Sequence, residues 1–130
     1  MRVAITGAAT GIGAEVVKLL KAQGAEVIAF DILRPENVDH WVKVDLSNMD
    51  AVASACDTVE RPFDVLINNA GLPPREGNQV KLLSVNVFGL LAMTRAMLPK
   101  LAKGARIVNT ASRAGLMWQE NIAEVKSFWH

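Results

Sequence analysis

Thr6-Gly7-Ala8-Ala9-Thr10-Gly11-Ile12-Gly13 is the stretch on which the reading of this chain turns. Before it stands Val3-Ala4-Ile5, a short, partly β-branched apolar run with the character of a strand buried on both faces of a parallel sheet. After it, Ile12 to Leu20 carries apolar residues at helical spacing, and Gly24 lies just past the end as a stop signal. The octapeptide is therefore a turn between strand and helix. Its backbone N–H groups and the helix N-terminus face outward together, and both favour an anion such as a diphosphate. Glycine lets the backbone turn tightly and meet a ligand with no Cβ in the way. The spacing is G-x-x-x-G-x-G, a departure from the general G-x-G-x-x-G fingerprint, so taken alone the turn also fits a simple tight corner.

Outward from that turn, strands are expected at Val27–Phe30, Trp41–Val44, Asp64–Asn68 and Ile107–Val108, each bounded by turn or charged residues. Ser47-Asn48-Met49-Asp50 has capping-box spacing, which places the Ser47 hydroxyl at the start of a helix from about Asn48 to Val59. Leu33 to His40 is too short for a full helical crossover, so an abbreviated helix or a loop belongs there. A long helix is expected from Gln79 to Leu101, with Pro99 weakening its last turn and Gly104 separating it from the fifth strand. Alternation of strand and helix predicts an α/β fold, an open, doubly wound parallel sheet with helices on both sides. Residues 1–130 read as one domain.

Composition narrows the function. With 130 residues, 51% of them hydrophobic and 21% charged, the chain supplies a core and is not disordered. Its 14 Lys+Arg nearly balance 13 Asp+Glu, leaving +1, so neither nucleic acid nor an anionic membrane is an expected partner. The single cysteine, Cys56, excludes a disulfide scaffold and suits a reducing cytoplasm, the expected location. Cys56, Met49, Met93 and Met97 read as core filler. His40 and His130 lack partners for metal or acid–base work, and no metal site is expected.

Asp31 sharpens the cofactor reading. It ends the second strand, where an acidic side chain accepts hydrogen bonds from the adenosine ribose hydroxyls and repels a 2′-phosphate. NAD is thereby favoured over NADP, with Arg34 as a nearby loop arginine that would soften the preference. A plain strand-end cap is the competing reading of Asp31.

With these residues in place the chain resembles the short-chain dehydrogenase/reductase family. Thr6 to Gly13 matches that family's T-G-x-x-x-G-I-G turn, and Asp31 stands at its NAD-selecting position. Asp45-Leu46 matches the pair beside the adenine, Asn68-Asn69-Ala70-Gly71 the N-N-A-G motif, and Asn86 the helix asparagine that supports proton relay. Ser112 matches the serine that binds the substrate's carbonyl or hydroxyl oxygen. The resemblance thus implies cofactor contacts from Gly7, Thr10, Gly11, Ile12, Gly13, Asp31, Ile32, Asp45, Leu46, Asn69, Ala70 and Gly71, and catalytic roles for Ser112 and Asn86. It implies a Rossmann-type sheet incomplete on its C-terminal side, residues 1–130 forming a single NAD-binding domain, and hydride transfer between NAD and a small-molecule secondary alcohol or ketone, in a homo-oligomer. The shortened second crossover and the Ser112–Trp118 stretch are similar to the bacterial 3α-hydroxysteroid and coniferyl-alcohol dehydrogenases within the family. Without the family pattern, Asn86 reads as a polar helix residue bonded to backbone, Ser112 as a turn cap, and Asn69-Ala70 as turn formers.

One element of the pattern is missing. The family's general acid/base is a tyrosine whose pKa is lowered by a lysine one helical turn later, because a phenol near pKa 10 needs a cation beside it to exchange protons near neutrality. This sequence has no tyrosine, and Gln119 to His130 offers only Lys126. The chain is expected to be part of a longer enzyme, with a truncated product or a split enzyme as alternatives. Ile122, Val125 and Trp129 suggest an amphipathic tail that either belongs to a lid or covers exposed sheet.

Overall fold

The computed structural model describes residues 1–60 and 62–128. Five parallel strands, β1 (Arg2–Thr6), β2 (Glu26–Asp31), β3 (His40–Lys43), β4 (Phe63–Asn68) and β5 (Leu101–Asn109), lie in the order β3-β2-β1-β4-β5. The chain winds outward from β1 first to one side and then to the other. That reversal leaves a crevice beyond the C-terminal ends of β1 and β4, where open α/β sheets bind ligands.

Alternating side chains along each strand feed two cores. Val3, Ile5, Val27 and Ala29 point to one face and pack with Val17 of helix α1 (Gly11–Ala22). Ala4, Ile28, Phe30 and Leu66 point to the other, under α2 (Met49–Asp57) and the long helical stretch Gln79–Lys100. That stretch is long and apolar enough to cross a membrane by composition, yet Val85, Met93 and Met97 are buried in the core against the sheet. Cys56 packs there too, its Sγ 3.5 Å from Met93 Sδ, and burial pushes its thiol up to about 11. A thiol so protonated at neutral pH behaves as core filler.

The second crossover is a loop, as its length dictates. It is tied down by Lys21, whose ammonium donates to both carboxylate oxygens of Asp39 at 2.7 and 2.6 Å. Asp39 also accepts from Val27 N–H at 2.7 Å, and these two partners hold its carboxyl below the usual range.

Three boundaries differ from expectation. The cap of α2 is Asn48, whose side chain accepts from Ala51 N–H at 3.0 Å. Ser47 is diverted because Asp45 Oδ1 accepts both its N–H, at 2.9 Å, and its hydroxyl, at 2.7 Å. Gly104 does not precede β5 but lies inside it, at φ +79°, in a bulge between the Phe63–Leu101 and Val65–Arg106 pairings. The long helix is not uniform: α3 (Gln79–Leu83) passes into a π turn (Ser84–Gly89), then α4 (Leu90–Met97) and a 3₁₀ turn (Leu98–Lys100) that holds Pro99. Gly89 explains part of this, since a Cβ there would stand 2.4 Å from the Leu46 carbonyl oxygen. The helix backbone presses directly on the segment after β3.

Beyond β5 the chain forms a 3₁₀ turn (Arg113–Gln119) and α5 (Ile122–Phe128). Leu116, Met117 and Trp118 stay exposed, as do Ile107 and Val108 on β5. Ile107 and Val108 are thus left uncovered among the described residues; the side chain of Val125, and Trp129, on which the expected covering also rests, lie outside them.

Candidate cofactor-binding site

The crevice is a cleft of about 440 Å³ bounded by the ends of β1, β2 and β4 and by the long helix. Its floor is locked by side chains that read as motif residues in the sequence. Thr6, buried at the end of β1, accepts the N–H groups of Asn69 and Ala70 through its hydroxyl at 3.1 and 3.0 Å. Asn69 in turn donates from Nδ2 to the Gly7 carbonyl at 2.8 Å. The turn after β4 thus clamps the glycine turn after β1.

The glycines divide the work. A Cβ on Gly13 would lie 1.9 Å from the Gly7 carbonyl oxygen and 2.6 Å from Asn69 Nδ2. Gly13 therefore lets α1 approach the turn, and it stands behind the cleft rather than lining it. Gly11, at φ +58°, lines the cleft and has no atom within 4 Å of a would-be Cβ. The first turn of α1 has no side-chain cap and no acidic residue, so its N–H groups and dipole face the cleft uncompensated. An anionic group fits this end.

Asp31 forms the next part of the wall. Its Oδ2 accepts from Ala9 N–H at 2.9 Å and its Oδ1 from Leu33 N–H at 3.0 Å. Each carboxylate oxygen has a second lone pair, so these bonds orient the group toward the cleft and leave acceptor capacity. Toward β2 and β3 the wall is apolar, built from Ile32, Val44 and Leu46 and faced by Val85 of the long helix, with Asp45 after β3 and Lys81 on α3 as its charged groups. Ser47 and, after it, the field of Lys81 hold the Asp45 carboxyl below the usual range. Gly7, Thr10, Ile12, Asn69, Ala70 and Gly71 line the cleft as expected.

The two expected catalytic residues are placed differently. Asn86 sits within the π turn, and its side chain bonds both backbone groups of one residue: Oδ1 accepts from Leu72 N–H at 2.8 Å, and Nδ2 donates to the Leu72 carbonyl at 2.9 Å. It pins the loop after β4. Ser112 lies on the exposed segment after β5, outside the cleft wall, its carbonyl accepting from Gly115 N–H at 3.1 Å. Thr110, not singled out by the sequence, lines the cleft and donates to Asn69 Oδ1 at 3.3 Å. Its only signal was position, one residue past a strand end. Lys81 was missed as well.

A family profile described as short chain dehydrogenase matches residues 1–124. The chain belongs to the short-chain dehydrogenase/reductase family. It is 35% identical over 118 residues to a coniferyl-alcohol dehydrogenase of Pseudomonas sp., covering 90% of this chain and 46% of that protein. A 3-alpha-hydroxysteroid dehydrogenase/carbonyl reductase of Comamonas testosteroni is 33% identical, with 92% and 48% covered. The solved structure of a short-chain dehydrogenase family protein from Francisella tularensis superposes with a TM-score of 0.79 at 26% identity, over 89% of this chain and 52% of that one. The chain spans about half the length of the relatives it matches. Dehydrogenases and reductases of this family use nicotinamide cofactors, and the uncapped helix end, the open face at Gly11 and the Asp31 carboxylate fit one.

Proposed function

We propose that residues 1–130 form the cofactor-binding part of an NAD-dependent oxidoreductase acting on secondary alcohols or ketones, as the two bacterial relatives' names suggest. The observation that carries this is the pairing, in one cleft, of an uncapped helix N-terminus with the Asp31 carboxylate at the end of β2. The helix end and Gly11 would hold the diphosphate, and Asp31 the adenosine ribose. Asp45 and Leu46 would lie beside the base. When bound, the nicotinamide supplies hydride transfer. Asn86 would support proton relay while fixing the loop at Leu72, and Ser112 would hold the reacting oxygen. A non-catalytic NAD-binding module is the alternative, and the presence or absence of a Tyr-x-x-x-Lys segment in the full-length protein separates the two.

Fluorescence titration tests the cofactor assignment. The chain is expected to bind NADH at least about tenfold more tightly than NADPH, since a carboxylate facing a 2′-phosphate loses a hydrogen bond and gains a repulsion. Asp31→Ala narrows that ratio. Equal affinities in the unmutated chain would remove Asp31 from its role.

A homo-oligomer is proposed through the long helix. Besides its buried face, the helix exposes Val80, Val87, Phe88, Leu91 and Leu98, and more apolar circumference than one core needs marks an interaction face. Sedimentation should show self-association at micromolar concentration, weakened by Phe88→Glu. A monomer under those conditions contradicts it.

A further inference from the structure

Asp31 is the last residue of β2, and what aims its carboxylate reaches beyond the glycine turn. Its Oδ1 accepts from Leu33 N–H at 3.0 Å, an Asx turn whose geometry depends on how the peptide between Asp31 and Ile32 is set. The carbonyl of that peptide accepts two N–H groups. One is the ladder bond from Val44 N–H, at 3.1 Å; the other comes from the indole Nε1 of Trp41, also at 3.1 Å. Trp41 stands on β3 opposite Ala29, so it shares the sheet face that packs on Val17 of α1. It is half-buried there and lies outside the cleft wall. No crossover helix joins β2 to β3, since residues 32–39 form a loop. The indole therefore ties a four-residue edge strand to the end of β2.

We infer that Trp41 is a positioning residue for cofactor choice: its indole N–H fixes the Asp31–Ile32 peptide and so holds the Asp31 carboxylate toward the ribose hydroxyls. This inference rests on the proposed NAD reading. A carbonyl whose two lone pairs are both taken cannot swing without breaking a bond. Leu33 N–H then stays where Oδ1 meets it, and Oδ2 stays on Ala9 N–H at 2.9 Å. Without the indole bond, the Val44 bond alone restrains this peptide at a strand end that opens into a loop. The carboxylate then leaves the ribose for part of the time, and its hydrogen bonds to the hydroxyls and its repulsion of a 2′-phosphate weaken together. Trp41 touches neither group and acts through Asp31.

The test is titration of the chain, of Trp41→Phe, of Asp31→Ala and of the double variant with NADH and NADPH. Binding is followed through directly excited nicotinamide emission, so that loss of an indole does not disturb the signal. Phenylalanine keeps an aromatic ring on the half-buried face and removes the N–H. Trp41→Phe should weaken NADH binding by about three- to fivefold, the scale of one hydrogen bond, and leave NADPH binding no weaker, so the preference for NADH narrows. In the Asp31→Ala background the same substitution should leave the ratio unchanged, because a residue that acts through another has no effect once the other is gone. Equal losses for both cofactors, an unchanged ratio, or an effect that persists without Asp31 would overturn the proposal and leave the cofactor reading standing. In the unmutated chain the Trp41 indole N–H resonance should move with NADH and saturate together with the Asp31 amide. An indole signal that stays still while that amide moves would overturn the proposal without any substitution. Binding of neither dinucleotide, or of both equally, by the unmutated chain would remove the reading of the site and this inference with it.

Discussion

Residues 1–130, supplied with NAD and a panel of secondary alcohols, are expected to form no NADH above background. The family's acid/base chemistry needs a phenol of lowered pKa, and the sequence contains no tyrosine. Neither Ser112 nor Asn86 titrates near neutrality, and the Asn86 side chain is occupied at both ends by the Leu72 backbone. General acid/base catalysis alone contributes roughly 10²- to 10⁴-fold. The lysine that would follow the tyrosine is absent as well, and with it goes part of the positioning of the reacting groups. Lys126, the one lysine in the final helix, has no phenol before it. Turnover followed as absorbance of NADH, and abolished by Ser112→Ala, would show that another group supplies the proton transfer.

Gly13→Ala should cost the fold more than any other single methyl group. Its Cβ would enter the space of the Gly7 carbonyl oxygen, at 1.9 Å, and of the Asn69 amide that fastens the turn after β4. The obstacle is backbone, so relief requires α1 to withdraw from the sheet. Overpacking of this kind typically costs about 1–3 kcal/mol and occasionally more, and the upper end applies here. In a domain of this size that corresponds to a fall in Tm of roughly 10 °C. Gly11→Ala is the contrasting case. No atom lies within 4 Å of its would-be Cβ, and the left-handed backbone alone costs about 1–2 kcal/mol. The methyl would, however, stand in the cleft at the proposed diphosphate end. Thermal denaturation and NADH titration of the two variants should therefore separate: Gly13→Ala loses stability first, Gly11→Ala loses affinity out of proportion to its stability. Equal Tm losses would contradict this division of roles.

Much of the architecture was legible because its signals are local. Short β-branched runs such as Val3-Ala4-Ile5, the turn glycines and the helical spacing of Ile12 to Leu20 each constrain the backbone within a few residues. The sites along the cleft were legible as motif positions, and eleven of the twelve expected cofactor residues line one cleft, with Gly13 behind it. What escaped were consequences of contact between distant segments. Ser47 carries capping-box spacing, but Asp45 captures it and Asn48 takes the cap. The π turn is invisible as periodicity, and the contacts it makes, Gly89 against Leu46 and Asn86 holding Leu72, are with segments distant in the chain. Gly104 looked like a boundary because a glycine in a β-bulge and one before a strand have the same local signature. Lys81 had no motif around it and gains meaning only because α3 brings it to the same cleft as Asp45.

The central claim is that this cleft binds a dinucleotide with its diphosphate at the N-terminus of α1 and its adenosine between Asp31 and Asp45. Amide chemical-shift mapping of the ¹⁵N-labelled chain during titration with NADH tests it most directly. The account predicts saturable shifts at Gly11, Ile12, Asp31, Ile32, Asp45 and Leu46, with little change along the exposed side of α4. No perturbation, or perturbation confined to the groove around Arg75 and Leu82 at the start of the long helix, would contradict it.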